Sequence, residues 1–176
     1  DEAEKVLKES KDTVDKIRRD VERLVDESRK TVDRIRELVD KAVKDSKDSV
    51  DRLRDVMRRN TNDKKELEKI SRDDRKRLDE VRKRLKDLLR EDNERLKKVL
   101  KEMRELLKRD NERLKRANVD EEVLRRIEKV NRDVARRVEE VFREAKEVNK
   151  KVDREVEDVI RKVKRVNEKV DEELKK

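Results

Sequence analysis

Asp92-Asn93-Glu94-Arg95-Leu96 returns 18 residues later as Asp110-Asn111-Glu112-Arg113-Leu114. An altered copy, Asp74-Arg75-Lys76-Arg77-Leu78, stands one step earlier. The same step runs through the rest of the chain. Ser10, Ser28 and Ser46 are spaced by it, as are Thr13, Thr31 and Ser49. So are the pairs Val130-Asn131, Val148-Asn149 and Val166-Asn167. An α-helix has about 3.6 residues per turn, so 18 residues make five whole turns and a side chain returns to its starting face. The period therefore selects helix throughout.

Composition narrows the class further. Of 176 residues, 61% are charged, and Gly, Pro, Cys, His, Trp and Tyr are absent. Tight turns lose their usual residues, leaving Asn, Asp, Ser and Thr to stop and start helices. The longest apolar run is two residues, so neither a transmembrane helix nor a signal peptide is expected. High charge with low hydropathy also marks disordered chains. Two features oppose that reading: 58 basic residues are nearly balanced by 49 acidic ones, and the apolar residues are strictly periodic.

Three apolar stripes follow. The first helix is expected over about 2–59, with Val14, Ile17, Leu24, Ile35, Leu53 and Met57 among its core-facing positions. Asn60-Thr61-Asn62 breaks the pattern, and Asp63 with Glu66 reads as a capping box. The second helix is expected over about 63–117, with Asp74, Asp92 and Asp110 lying in the apolar register. Asn118 reads as a left-handed stop and Asp120 as the next N-cap, with Val119 and Leu124 as a hydrophobic staple. The third helix is expected over about 121–175, and its stripe includes Val130, Val148 and Val166. It is rich in Val, a poor helix former alone, so packing must hold it.

Helices of near-equal length joined by short turns pack as antiparallel neighbours. The expected fold is all-α: an elongated, nearly straight up-down-up antiparallel three-helix bundle, with residues 1–176 forming a single domain. A heptad repeat would supercoil the helices to the left and an eleven-residue repeat to the right. Eighteen lies between, which predicts little twist.

Folding the turns brings the polar repeats into three layers, roughly 27 Å apart along the helices. One holds Ser10, Thr13, Asp110, Asn111 and Asn131; the next Ser28, Thr31, Asp92, Asn93 and Asn149; the last Ser46, Ser49, Asp74 and Asn167. An ionised Asp only accepts hydrogen bonds, while Ser, Thr and the Asn amide can donate. The expected centre of each layer is therefore the aspartate, receiving from the hydroxyls and the amide. Asn93 or a water is expected to answer the Asn149 carbonyl. The alternative places the aspartates at the bundle edge, facing water. Arg75 and Ser71 depart from the repeat, which points to a wetter third layer.

Chemistry-bearing motifs are scarce. Without His or Cys there is no zinc site, Cys–His pair or Ser-His-Asp triad, and without Gly no phosphate loop. One carboxylate per layer is too little charge to hold a hard cation tightly. No enzyme activity, cofactor or metal is expected. Residues 61–118 carry 22 basic and 15 acidic groups, whereas each flanking third carries 18 and 17. That basic middle helix suggests a polyanion surface. Interspersed acids and the lack of stacking aromatics favour a solvated face instead.

Taken together, the repeat, the reduced alphabet and the stacked Ser/Thr–Asp–Asn layers resemble de novo designed, parametrically generated helical bundles with buried hydrogen-bond networks. The resemblance covers the whole chain. It implies an artificial helical repeat protein, soluble in an expression host, with a scaffold role and no natural substrate. No partner is required under that reading: a monomer is expected, with a homo-oligomer or helical assembly as the alternative. No membrane and no specific nucleic acid is implied.

Overall fold

The structure is a computed structural model that describes residues 2–59 and 64–174. The fold is all-α. Three long helices, α1 (Glu2–Arg58), α2 (Lys64–Arg116) and α3 (Glu121–Leu174), pack antiparallel as a bundle. The expected turn at 60–62, the Asp63 cap and the last residue of the third expected helix lie outside the described residues. Ser10 meets Asp110, Ser28 meets Asp92 and Ser46 meets Asp74. Each step of 18 forward along α1 is thus a step of 18 back along α2.

The described turn, between α2 and α3, is closed by backbone bonds. Ala117 N donates to Arg113 O at 3.0 Å, and Val119 N donates to Ala117 O at 2.9 Å, a γ-turn centred on Asn118. Leu124 N donates to Asp120 O at 2.9 Å, the first helical bond of α3, which puts Asp120 at the N-cap position. Glu121 and Glu122 follow in the first turn, where carboxylates favour the positive end of the helix dipole.

Packing divides the chain into two compact units, Asp1–Lys30 with Glu91–Val148, and Thr31–Arg90 with Asn149–Lys176. In the first unit, Val14, Ile17, Leu24, Leu96, Met103 and Phe142 are among the buried side chains of one apolar cluster. The second unit holds two clusters. One gathers Val32, Ile35, Leu85, Leu89, Val152 and Ile160, and the other Val50, Leu53 and Val170. Each buried branched side chain contributes roughly 1.5–3 kcal/mol relative to exposure.

Four stripe residues are corrected by the structure. Val130, Val148 and Val166 are 45–50% exposed, and Met57 is 42% exposed. Each valine directly precedes a buried asparagine. Neighbours on a helix point about 100° apart, so the asparagine takes the seam and the valine rotates outward. At the end of α1, Val56 takes the half-buried position and Met57 turns away.

Cross-helix ion pairs border the apolar seams. In the first unit Arg104 Nε donates to Glu139 at 2.5 Å, and in the second Lys86 reaches Asp153 at 2.7 Å and Glu157 at 2.9 Å. The bond from Arg104 holds Glu139 below its ordinary 4.5. Glu157 is held down by Lys86 and then Arg82, while Lys86 is raised above 10.5 by Asp153 and Glu157. A lowered carboxylate adds stability above its unfolded value and loses it as pH falls through the folded one. A raised amine adds stability below its unfolded value and loses it as pH rises through the folded one. These partly exposed pairs are each worth about 0–1 kcal/mol. Their contribution should be flat across neutral pH, falling below 4.5 and above 10.5. Urea midpoints measured across pH check this. The acid decline should shrink in Arg104→Met, which leaves Glu139 without its donor.

Candidate functional site

The polar layers are buried. Asp92 is 0% exposed, Asp110 1% and Asp74 3%, because each aspartate sits at a seam position of α2 where apolar residues flank it by one helical turn. The edge-exposed alternative is therefore set aside. Burying a carboxylate is costly unless it is paired and hydrogen-bonded, and each aspartate is.

The first layer joins three helices. Ser10 Oγ donates to Asp110 Oδ2 at 2.7 Å, and Asn131 Nδ2 donates to the same oxygen at 2.9 Å. Asn131 Nδ2 also donates to Asn111 Oδ1 at 2.8 Å. Asn111 is thus a second acceptor for the amide. Asn131 Oδ1 is buried and accepts no hydrogen bond. In this layer the Asn of α2 serves the amide nitrogen of the α3 Asn, not its carbonyl.

The third layer repeats the pattern. Ser46 Oγ lies 3.0 Å from Asp74 Oδ2 and 3.5 Å from Asn167 Oδ1, the shorter contact taking its single proton. Asn167 Nδ2 donates to Asp74 Oδ2. In the central layer, Ser28 Oγ donates to Asp92 Oδ2 at 2.8 Å within the first unit, where Asn93 is exposed. Thr31 and Asn149 belong to the second unit, half-buried and buried respectively.

Two hydroxyls depart from their expected aim. Thr13 Oγ1 donates to Glu9 O at 2.9 Å, and Ser49 Oγ to Asp45 O at 3.1 Å. Both turn back to the carbonyl four residues earlier, a bond available to any helical Ser or Thr. In the first and third layers it is the serine that supplies a hydroxyl to the aspartate.

Arginine is what the sequence reasoning missed. Arg113 Nη2 donates to Asp110 Oδ1 at 3.3 Å, while its Nη1 reaches Glu9 on α1 at 3.1 Å. Arg95 lies 3.8 Å from Asp92 Oδ1 and 3.3 Å from Glu27. Arg77 lies 3.7 Å from Asp74 Oδ1 and 3.9 Å from Asp45, and donates to Ser49 Oγ at 3.3 Å. In every layer, one carboxylate oxygen faces the serine and the other an arginine that ties α2 to α1. The signal was present as an arginine three residues after each layer aspartate and an acid just before each layer serine.

Ser71 and Arg75, which break the repeat, build a cluster of their own. Ser71 is buried and donates to Asp171 Oδ1 at 2.6 Å. Arg75 pairs with Asp171 and donates to Ser71 Oγ at 3.4 Å. The departure adds a second α2–α3 contact beside the third layer.

The layer serines and the amides of Asn131 and Asn167 are directed at the aspartates. Among the described residues no group of three or more His, Cys, Asp or Glu is placed to hold a metal ion. No described helix is long and apolar enough to cross a membrane.

No protein-family model matches the chain, and no curated protein matches it. Among solved structures it is similar to a chain described as "Computationally designed three helix bundle", at 20% identity and a TM-score of 0.52. That match covers 96% of this chain and 88% of the other. At such low identity the likeness is one of fold: this chain folds as a three-helix bundle.

Proposed function

We propose that the chain is a designed structural scaffold, a single helical-repeat domain whose buried polar layers fix the register of its helices. The observation that supports this best is the use made of each polar side chain. Each layer aspartate is consumed by a serine of α1 and an arginine of its own helix, and Asp74 and Asp110 also by an asparagine of α3. Sliding α2 by a turn would break its bonds to the serines of α1 and the asparagines of α3 together, so the layers oppose slippage. The 18-residue period supports helices with little supercoil. No catalytic role falls to any residue under this reading, and the fold needs no partner.

A second reading, a polyanion-binding surface on α2, rests on that helix's excess of basic residues. The ion pairs offer another explanation. Arg77, Arg95 and Arg113 pair with acids of α1, and Arg75, Arg82, Lys86 and Arg104 with acids of α3. The middle helix faces both neighbours and supplies cations to each. Duplex DNA should therefore bind weakly, with affinity falling steeply between about 50 and 200 mM salt. Fluorescence anisotropy against salt tests this: sequence-selective binding that survives about 150 mM salt would overturn the scaffold reading.

A further inference from the structure

The first packing unit leaves an apolar groove of about 770 Å³ along the α1–α3 seam. Ile17, Val134 and Val138 form its floor, and half-buried Val21 and Val141 rise on its two walls. Whatever covers such a groove must match its rim. Ser10 and Asn131 share Asp110 Oδ2, so they stand level on two parallel helices. Val21 lies eleven residues beyond the one and Val141 ten beyond the other, so the two valines are level as well.

The rim charges are ordered about that level. On α1, Arg18 precedes Val21 and Glu22 follows it, with Asp26 one turn further. On α3, Arg137 precedes Val141 and Glu144 follows it. Next to the centre, both walls carry an arginine on the N-terminal side and a glutamate on the C-terminal side. Arg29 and Asp133 stand near opposite ends of the groove, nearly equidistant from its centre.

We propose that this groove is a self-association surface, which takes a second copy of the chain turned end for end. A two-fold axis across the helices at Val21 and Val141 makes the interface isologous. It lays α1 antiparallel on α1 and α3 antiparallel on α3. Arg18 then faces Glu22 and Asp26 of the second copy, Arg137 faces its Glu144, and Arg29 comes diagonally near its Asp133. A copy set parallel instead would place Arg18 against Arg137 and Asp26 against Glu144, and like charges across an interface oppose docking. In the single chain, Asp26 pairs with Lys30 and Arg137 with Glu140, both exposed same-helix contacts that exchange readily. This surface lies outside the polar layers and is independent of the scaffold reading.

Sedimentation velocity of the full chain over a concentration series is the test. The expected result is a mass rising from 21.5 kDa towards twice that value, with a Kd of about 1–100 µM. Arg18→Glu should weaken association about tenfold or more, and Arg18→Glu with Glu22→Arg should recover part of that loss, because one facing pair is exchanged together while Asp26 stays in place. Val21→Glu should abolish association, with circular dichroism confirming that the half-buried site leaves the helices intact. A parent chain that stays monomeric across the series, or a double variant as weak as Arg18→Glu, would overturn the proposal.

Discussion

Ile17→Ala should destabilise the fold by about 2–5 kcal/mol. Ile17 is fully buried and belongs to the apolar cluster of the first unit, with Leu96, Met103 and Phe142. Removing its branched chain forfeits the transfer energy of three carbons and leaves a cavity that long, continuous helices cannot easily close. Val166→Ala removes a side chain of similar character from a position that is half exposed. Its effect should stay within about 0.5 kcal/mol, as for most surface substitutions. Urea titration of the two variants measures the contrast. Equal losses would mean that the valines preceding the layer asparagines are packed after all.

Asp110→Ala should have an effect of the same order for a different reason. It leaves the Ser10 hydroxyl without its acceptor and the Asn131 amide with Asn111 alone. It also releases Arg113, which keeps its bond to Glu9. Ser10 can turn to a helix carbonyl, as Thr13 already does. The amide is harder to satisfy, and each buried donor left unpaired costs about 1–3 kcal/mol. Replacing Ser10, Asp110 and Asn131 together by apolar residues of suitable volume removes every orphan at once. Such all-apolar replacements of buried charges are often neutral or stabilising. Denaturant titration should therefore rank the triple replacement at or above the parent and Asp110→Ala below both.

The fold was legible because one physical signal, the return of a side chain after five whole turns, is written three times in each helix. The helix ends fell within a residue of their expected positions at Arg58, Arg116 and Glu121. The serine–aspartate pairing was legible too, since an acceptor in apolar register demands a donor at its level. Rotamer choice was not. Nothing in the residue types separates Ser10, which reaches across to α2, from Thr13 and Ser49, which bond back to their own helix. The arginines escaped for a different reason. A long side chain rooted on an exposed position can bend its guanidinium over the edge of a buried layer. Arg113 does so, with its side chain 46% exposed while Asp110 beneath it is nearly inaccessible. Periodicity of apolar residues does not report such reach. Val130 shows the opposite error: an apolar residue assigned inward turns outward because its neighbour Asn131 occupies the seam.

A double-mutant cycle between Asp110 and Asn131 tests most directly whether the layers are built as hydrogen-bonded networks. Asp110→Ala, Asn131→Ala and the double variant are compared with the parent by urea unfolding. The Asn131 amide lies 2.9 Å from Asp110 Oδ2, both side chains are inaccessible to water, and the charged acceptor strengthens the bond. Contacting residues in one such network couple by about 0.5–3 kcal/mol. The predicted result is a coupling energy above about 1 kcal/mol, with the double variant less damaged than the two single losses combined. Strict additivity of the two losses would contradict it, and would reduce the layers to polar side chains that share a level without depending on one another.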